Sequence, residues 1–278
     1  MFRRLSFSLA VLGALAVAPA AFGAYPPPYA AQGKPGVLNS DGALRYVAYD
    51  AGGDGTVVWS IKTSDGSRLQ SANLAGSFGI PMLTNYGLGG GLFRDGSAFV
   101  LQSTKVASPT RFVFLNTSDL STRDSITLKG VFGFDALSPD GSKLYLIQHM
   151  TANDLQHYIV RAYDLTTHTL LPGRIADKTQ KSWVMQGWAV TRTTSSNGRW
   201  VYTLYANPGG FPFIHALDTV KGVAHCVGIP WAATDRDQTD VYNLVLSVHG
   251  KLLAVDWKSG GKFLSVNRSN WRVSKAKP

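Results

Sequence analysis

The sequence contains no glutamate: all 17 acidic residues are aspartate. Any two-carboxylate chemistry must therefore run on Asp alone, without the longer acid that many glycoside hydrolases use as proton donor. Cysteine is almost as scarce. Cys226 stands by itself, which excludes an intramolecular disulfide framework. It follows His225 in a strand-like run, where neighbours point to opposite faces, so it reads as a small buried hydrophobe and not as a thiol paired with a base. Beyond the first 23 residues no apolar run is long enough to cross a bilayer. No segment there shows a convincing 3.6-residue period. There is no Gly-x-Ser-x-Gly. No two histidines sit at metal-ligand spacing on one element, although His149 and His157 flank one loop. Gly89-Gly90-Gly91 precedes a short strand instead of a helix, so it reads as a flexible loop and not a phosphate cradle. No basic cluster is denser than Lys275-Ala276-Lys277, and no nucleic-acid-binding motif is present.

What is there begins with a leader. Arg3 and Arg4 precede an apolar stretch from Leu5 to Val17 and then small residues, the pattern of a secretory signal peptide over 1–23. A Pro-rich linker over 24–35 follows, then one domain over 36–278. The expectation is a secreted or cell-envelope protein with no transmembrane segment after signal removal. The formal charge of +10 falls to +8 once Arg3 and Arg4 leave with the leader. A basic exported protein is attracted to anionic envelope polymers, lipid surfaces and acidic glycans.

Five turn signatures organise the domain: Ser40-Asp41-Gly42, Arg94-Asp95-Gly96, Pro139-Asp140-Gly141, Ser196-Asn197-Gly198 and Val248-His249-Gly250. Their glycines are 54, 45, 57 and 52 residues apart. A polar residue before Gly suits the positive φ of a tight hairpin. A Val-, Leu- and Tyr-rich run follows each turn, and a second Asn/Asp/Ser/Thr turn closes each unit. Four-stranded meanders at this period bury both faces only when stacked on their neighbours. The fold expected is an all-β, five-bladed β-propeller. Six blades is the alternative, if a degenerate blade hides in 177–188 or 230–242.

The stretch Phe134-Asp135-Ala136-Leu137-Ser138-Pro139-Asp140-Gly141-Ser142-Lys143-Leu144-Tyr145-Leu146 resembles the Ser-Pro-Asp-Gly blade signature of YVTN-type and TolB-like β-propellers. The strand Tyr158–Asp164 with Leu165-Thr166-Thr167 is similar to their blade pattern too. The resemblance is tight in one blade and looser in the others, where Asn197 and His249 replace the Asp. It implies a propeller serving as a recognition scaffold, and it carries no catalytic residue, because the motif is a turn.

Function in such a fold sits on the loops of one face. If the repeats align as above, Tyr86, Phe132, Trp183, Trp188, Trp231 and Tyr242 converge there as an aromatic platform for sugars or apolar side chains. The competing reading packs them between blades. Asp235, Asp237 and Asp240 alternate on one loop and could offer oxygens to Ca²⁺, though the segment lacks the Gly and Glu of an EF-hand. Asp135 lies on an innermost strand, where it faces either a catalytic role in the channel or a buried structural pairing. The leading expectation is a non-catalytic module binding a protein or glycan of the cell envelope. The alternative is an Asp-dependent carbohydrate-active enzyme.

Overall fold

The computed structural model describes residues 29–33, 35–85, 87–179, 184–207, 210–231 and 238–275. The expected leader, Tyr86, Trp183, Asp235 and Asp237 lie outside the described residues. The chain forms a five-bladed β-propeller of antiparallel sheets. Blade 1 is Val37–Leu38, Leu44–Gly52, Gly55–Lys62 and Arg68–Ala75. Blade 2 is Phe78–Pro81, Ala98–Ser103, Thr110–Asn116 and Thr122–Leu128. Blade 3 is Phe132–Leu137, Lys143–Thr151, Asp154–Asp164 and Thr169–Leu170. Blade 4 is Trp188–Thr194, Trp200–Ala206, Phe213–Asp218 and Val223–Gly228. Blade 5 is Leu244–His249, Leu252–Trp257, Lys262–Asn267 and Val273–Lys275.

No sixth blade emerges. Within 177–188 the described residues supply only the pair Met185–Gln186, which joins blade 3 beside His157 and Tyr158. Within 230–242 they supply the start of a 3₁₀ turn over Thr239–Asn243. Ala30–Ala31, inside the segment read as a linker, adds a short strand to blade 2 opposite Ile80 and Pro81.

The turn signatures fold as their chemistry demands. All five glycines have positive φ, from 55° at Gly250 to 75° at Gly198. In the first four turns the residue before Gly accepts the N–H two residues on, as Asp41 does from Ala43 (2.8 Å) and Asn197 from Arg199 (3.1 Å). Each blade's second turn packs against its first. The hydroxyls of Thr63, Thr117 and Thr219 donate to the carbonyls of Gly42, Gly96 and Gly198 at 2.7, 2.6 and 3.1 Å.

Packing between blades forms the core. Tyr46 and Phe99 stack across the first seam with ring centres 4.6 Å apart. Phe112, Phe132 and Leu144 fill the second seam. Ala136, Tyr145 and Leu217 fill the third, and Tyr202, Leu204 and Leu253 the fourth. The first two seams share a polar clasp. The Thr56 hydroxyl donates to Gly76 O (2.7 Å) and accepts from Phe78 N–H (2.8 Å). Fifty-four residues later, Thr110 does the same with Gly130 O (3.0 Å) and Phe132 N–H (2.9 Å).

Gly89-Gly90-Gly91 is a close-packed segment, which corrects its reading as a flexible loop. Residues 82–85 and 87–91 form the two sides of a small hairpin after Phe78–Pro81, with Met82 paired to Gly89. Its tip crosses to blade 4, where Asn85 N–H donates to Ala189 O (2.9 Å). A Cβ on Gly89 would stand 2.2 Å from Gly36 O, and one on Gly90 would stand 2.5 Å from Leu83. Only glycine permits that approach.

Because Thr110 satisfies two buried backbone groups, Thr110→Ala should destabilise the protein by about 1–3 kcal/mol. Thr110→Ser, which keeps the hydroxyl, should cost clearly less. Urea unfolding midpoints of the two variants test this; equal losses would show that only the methyl matters.

Candidate functional site

The channel is the first place to look for chemistry; it is divided by a hairpin and an ion pair, with a recess of about 340 Å³ left on the side of Gly91, Asp135 and Thr194. Asp135 sits at a bulge between Phe134 and Ala136 that takes it out of register with the neighbouring strand. It is 3% exposed. Arg192 of blade 4 reaches it there: one guanidinium nitrogen donates to Asp135 Oδ1 (2.8 Å) and the other to Asp135 O (2.7 Å). Both side chains are nearly dry. The catalytic reading of Asp135 gives way to a structural ion pair, since the carboxylate is already engaged by a fixed cation. The plug hairpin leaves only about 40 Å³ on one side of this pair, bordered by Leu83, Tyr158 and Trp188.

Among the described residues, the four rings of the expected platform do not meet on one exposed surface. Phe132 is 2% exposed, held in the seam by Thr110. Trp188 is 8% exposed and borders the small channel cavity. Trp231 and Tyr242 are half-buried against the core between blades 4 and 5, with Trp231 edge-on to Phe263 at 5.7 Å. The competing reading, packing between blades, describes these four rings. The proposed Ca²⁺ loop is represented among the described residues by Asp240 alone, exposed on the 3₁₀ turn. Among the described residues no cluster of three His, Cys or Asp side chains suits a metal.

The largest concavity is elsewhere, a groove of about 490 Å³ between blades 3 and 4 on the loop face. Phe211, at its rim, is the most exposed large hydrophobe of those described, at 59%. It stands on the loop between the second and third strands of blade 4. Gln238, fully buried with φ of 55°, pins that loop. Its amide oxygen accepts from Asn207 N–H (2.7 Å), and its nitrogen donates to Asn207 O (2.7 Å) and Gly210 O (3.0 Å). Below Phe211, Phe213 stacks on Tyr205 at 5.2 Å and gives the groove a rigid apolar floor. Gln186 lines the same groove, and its side chain has no hydrogen-bond partner among the described residues.

Asp177 closes one end of the groove. It accepts from Cys226 N–H (2.7 Å) and from the backbone and hydroxyl of Thr179 (2.8 and 2.7 Å), with His225 Nδ1 at 3.1 Å. Burial raises its pKa, but these hydrogen bonds and the nearby His225 outweigh it and hold the carboxyl below the usual range. It stitches the blade 3 exit to blade 4 and has no spare role as a catalytic base. Cys226 borders the groove too. Burial, and then the charge of Asp177, push its thiol up to about 12, so it is inert as a nucleophile. The bland reading of Cys226 stands.

Two histidines, His149 of the loop pair noted in the sequence and His215, are buried. His149 is packed between Tyr29 (4.8 Å) and Tyr158 (5.8 Å), and neither ring nitrogen has a partner. His215 lies 3.7 Å from Cys226 Sγ through Nδ1 and leaves Nε2 unpaired. Burial pushes both pKa values down to about 4. Strand neighbours of mixed polarity gave no signal for either. Phe211 and Gln238 were equally hidden, because their roles depend on contacts 25 or more residues apart.

No family model matches the sequence, and no curated protein matches it. Among solved structures the chain is similar to Kuenenia stuttgartiensis hydrazine synthase, at 14% identity and a TM-score of 0.52, over 84% of this chain and 63% of that one. TolB from Acinetobacter baumannii aligns at 12% identity and 0.43, over 84% and 51%. BamB from Moraxella catarrhalis aligns at 11% and 0.41, over 85% and 61%. The chain thus spans between half and two thirds of the length of these structures. At such identities the likeness defines the class of fold, a β-propeller, and nothing finer.

His149 and His215 make stability depend on acid. Unfolded, each takes up a proton near pH 6.5; folded, each refuses it until about 4. Stability from these groups is therefore full above 6.5 and is lost as pH falls from 6.5 toward 4. Denaturant unfolding at pH 7, 5.5 and 4.5 should show that decline, and His149→Phe should flatten it. An unchanged slope in His149→Phe would remove His149 from this account.

Proposed function

We propose that this protein is an exported, non-catalytic binding module of the YVTN-type or TolB-like kind, and that it takes a glycan of the cell envelope in the groove between blades 3 and 4. The observation that carries the reading is that an exposed ring, Phe211, and the amide of Gln186 line the same groove. An aromatic face stacks on a sugar ring while amides bond its hydroxyls. The groove is built before any ligand arrives, since Gln238 locks the Phe211 loop and Tyr205 supports Phe213. Preorganisation of that kind lowers the entropic cost of binding.

The engagement of the candidate carboxylates supports a binding role over hydrolysis. Hydrolysis of a glycosidic bond commonly needs two carboxylates about 5–9.5 Å apart. Asp135 is engaged by Arg192, and Asp177 is saturated with donors.

The test is binding of envelope oligosaccharides to the mature protein, by calorimetry or saturation-transfer NMR. Phe211→Ala should weaken binding about tenfold, the scale of one lost aromatic contact. Gln186→Ala should weaken it severalfold, and neither variant should shift the thermal midpoint. Saturable binding that both variants retain would sink the groove as the site. Capture of one envelope protein at high salt, lost in Phe211→Ala, would replace the glycan with a protein at the same groove.

A further inference from the structure

The same seam has a second opening at its other end, on the turn face. The third strand of blade 4, Phe213–Asp218, runs between the two, and six extended residues span roughly 20 Å. This second pocket holds about 220 Å³. Its cations come from three separate places: Lys143 at the start of a blade 3 strand, Arg174 on the chain leaving blade 3, and Lys221 in the last turn of blade 4. No carboxylate lines it.

The acids nearest by are occupied. Asp218 is held by Arg199, whose Nη2 stands 2.6 Å from Oδ2. Asp164 accepts the N–H groups of Thr167 and Thr166, which with the charge of Lys143 lower its pKa. Lys143 is thus partly matched, and Arg174 and Lys221 carry the surplus. Neither forms a salt bridge among the described residues. The backbone N–H groups of Gly173 and Arg174 also lack a protein acceptor among those residues. Tyr145 lines the pocket with its hydroxyl already donated to Thr219 O (2.7 Å), so it competes for nothing there.

An apolar rim adjoins these cations. Val220 is 52% exposed and Val223 is 41% exposed, one on each side of Lys221-Gly222. The corresponding turns of the other blades carry Asp65-Gly66, Ser118-Asp119, Thr166-Thr167 and Ser269-Asn270. Valine at an exposed turn tip fills no core and gains nothing in water. Unmatched cations beside exposed aliphatic side chains complement one kind of surface well, the anionic bilayer interface. Phosphates there attract Lys and Arg, and aliphatic groups enter the acyl boundary.

We propose that this end of the blade 3–blade 4 seam docks on an anionic phospholipid surface, with Arg174, Lys221 and Lys143 receiving a headgroup phosphate and Val220 and Val223 entering the interface. The docked protein would hold the groove bearing Phe211 away from the membrane. The proposal does not depend on what that groove binds.

The experiment is flotation of the mature protein with phosphatidylglycerol-containing vesicles and with pure phosphatidylcholine vesicles. Binding should require the anionic lipid. The triple variant K143A/R174A/K221A should bind roughly a hundredfold more weakly, at about tenfold in affinity for each 1.4 kcal/mol and near 1 kcal/mol per cation. V220S/V223S should lose roughly tenfold while keeping every charge. Millimolar inorganic phosphate should compete no better than sodium chloride of equal ionic strength. Phosphate that displaces the protein outright would overturn the proposal in favour of a free-anion site. Full binding by either variant would overturn it as well. Lys221→Glu, a single exposed turn substitution, replaces the triple variant if that one fails to fold. Phe211→Ala should float like the wild type, which separates this outcome from failure of the glycan reading.

Discussion

A threonine hydroxyl that serves two backbone groups at once is the contact on which the regular part of this propeller depends. Stacking one sheet on another buries the first N–H of each inner strand, and a buried N–H without an acceptor costs more than most single contacts return. Thr56 and Thr110 supply the acceptor and use their own proton on the preceding Gly carbonyl. Those seams are closed by chemistry as well as by packing at their clasps, although the outer turns of blades 2 and 3 still flank a recess of about 280 Å³ beside Arg123 and Asp140. No such threonine serves the seam between blades 3 and 4. The chain there takes a longer path after Leu170, and Asp177 performs the stitching from a loop by gathering the N–H of Cys226. The groove bearing Phe211 and the basic pocket beside Lys221 both lie at that seam. The irregularity in the repeat and the candidate sites are the same feature.

The centre follows the opposite logic. A channel lined by inner strands is where propellers have room for ligands, yet here a hairpin from blade 2 crosses it to Ala189. The hairpin fits because Gly89 and Gly91 let backbone lie on backbone, while Gly90 leaves room for the Leu83 side chain. Beside it, the Asp135–Arg192 pair joins blades 3 and 4 across the axis. A buried pair of this kind fixes register more than it adds stability, since desolvation offsets most of its attraction. The axis is thus interrupted, with about 40 Å³ left on one side of the pair and a recess of about 340 Å³ on the other.

The architecture was legible because it is local. A polar residue followed by Gly, a β-rich run and a second polar turn are all written within about 25 residues; all five signatures became positive-φ turns, four of them with the expected hydrogen bond. The aromatic residues misled because the loop face was inferred from spacing alone. Phe132 had a readable signal that it belongs to the core: Thr56, Gly76 and Phe78 recur as Thr110, Gly130 and Phe132 at a constant offset of 54. That triplet marks a seam clasp, and its Phe points inward. Phe211 had no comparable signal. Its exposure is set by Gln238, 27 positions away, bonding the loop from beneath. Nothing in the amino acids around either residue announces the contact.

The missing glutamate belongs to the same physical account. Nine aspartates, among them Asp41, Asp65, Asp95, Asp140, Asp164 and Asp218, accept the N–H two residues ahead. One methylene between backbone and carboxylate sets that reach, and a longer side chain would swing past it. The negative charge of this protein is therefore placed largely by turn geometry, where each carboxylate is held by N–H groups of its own turn. The cations are under no such constraint. Where a turn Asp falls close to a cation, as Asp218 does to Arg199, the charges cancel. Where the turn Asp is engaged and two further cations stand across a seam, as at Arg174 and Lys221, positive charge is left facing solvent. An overall excess of basic residues could have been spread evenly over the surface. Here the turns dictate where it collects, and the one turn that also exposes two valines is the place where that charge has an apolar neighbour.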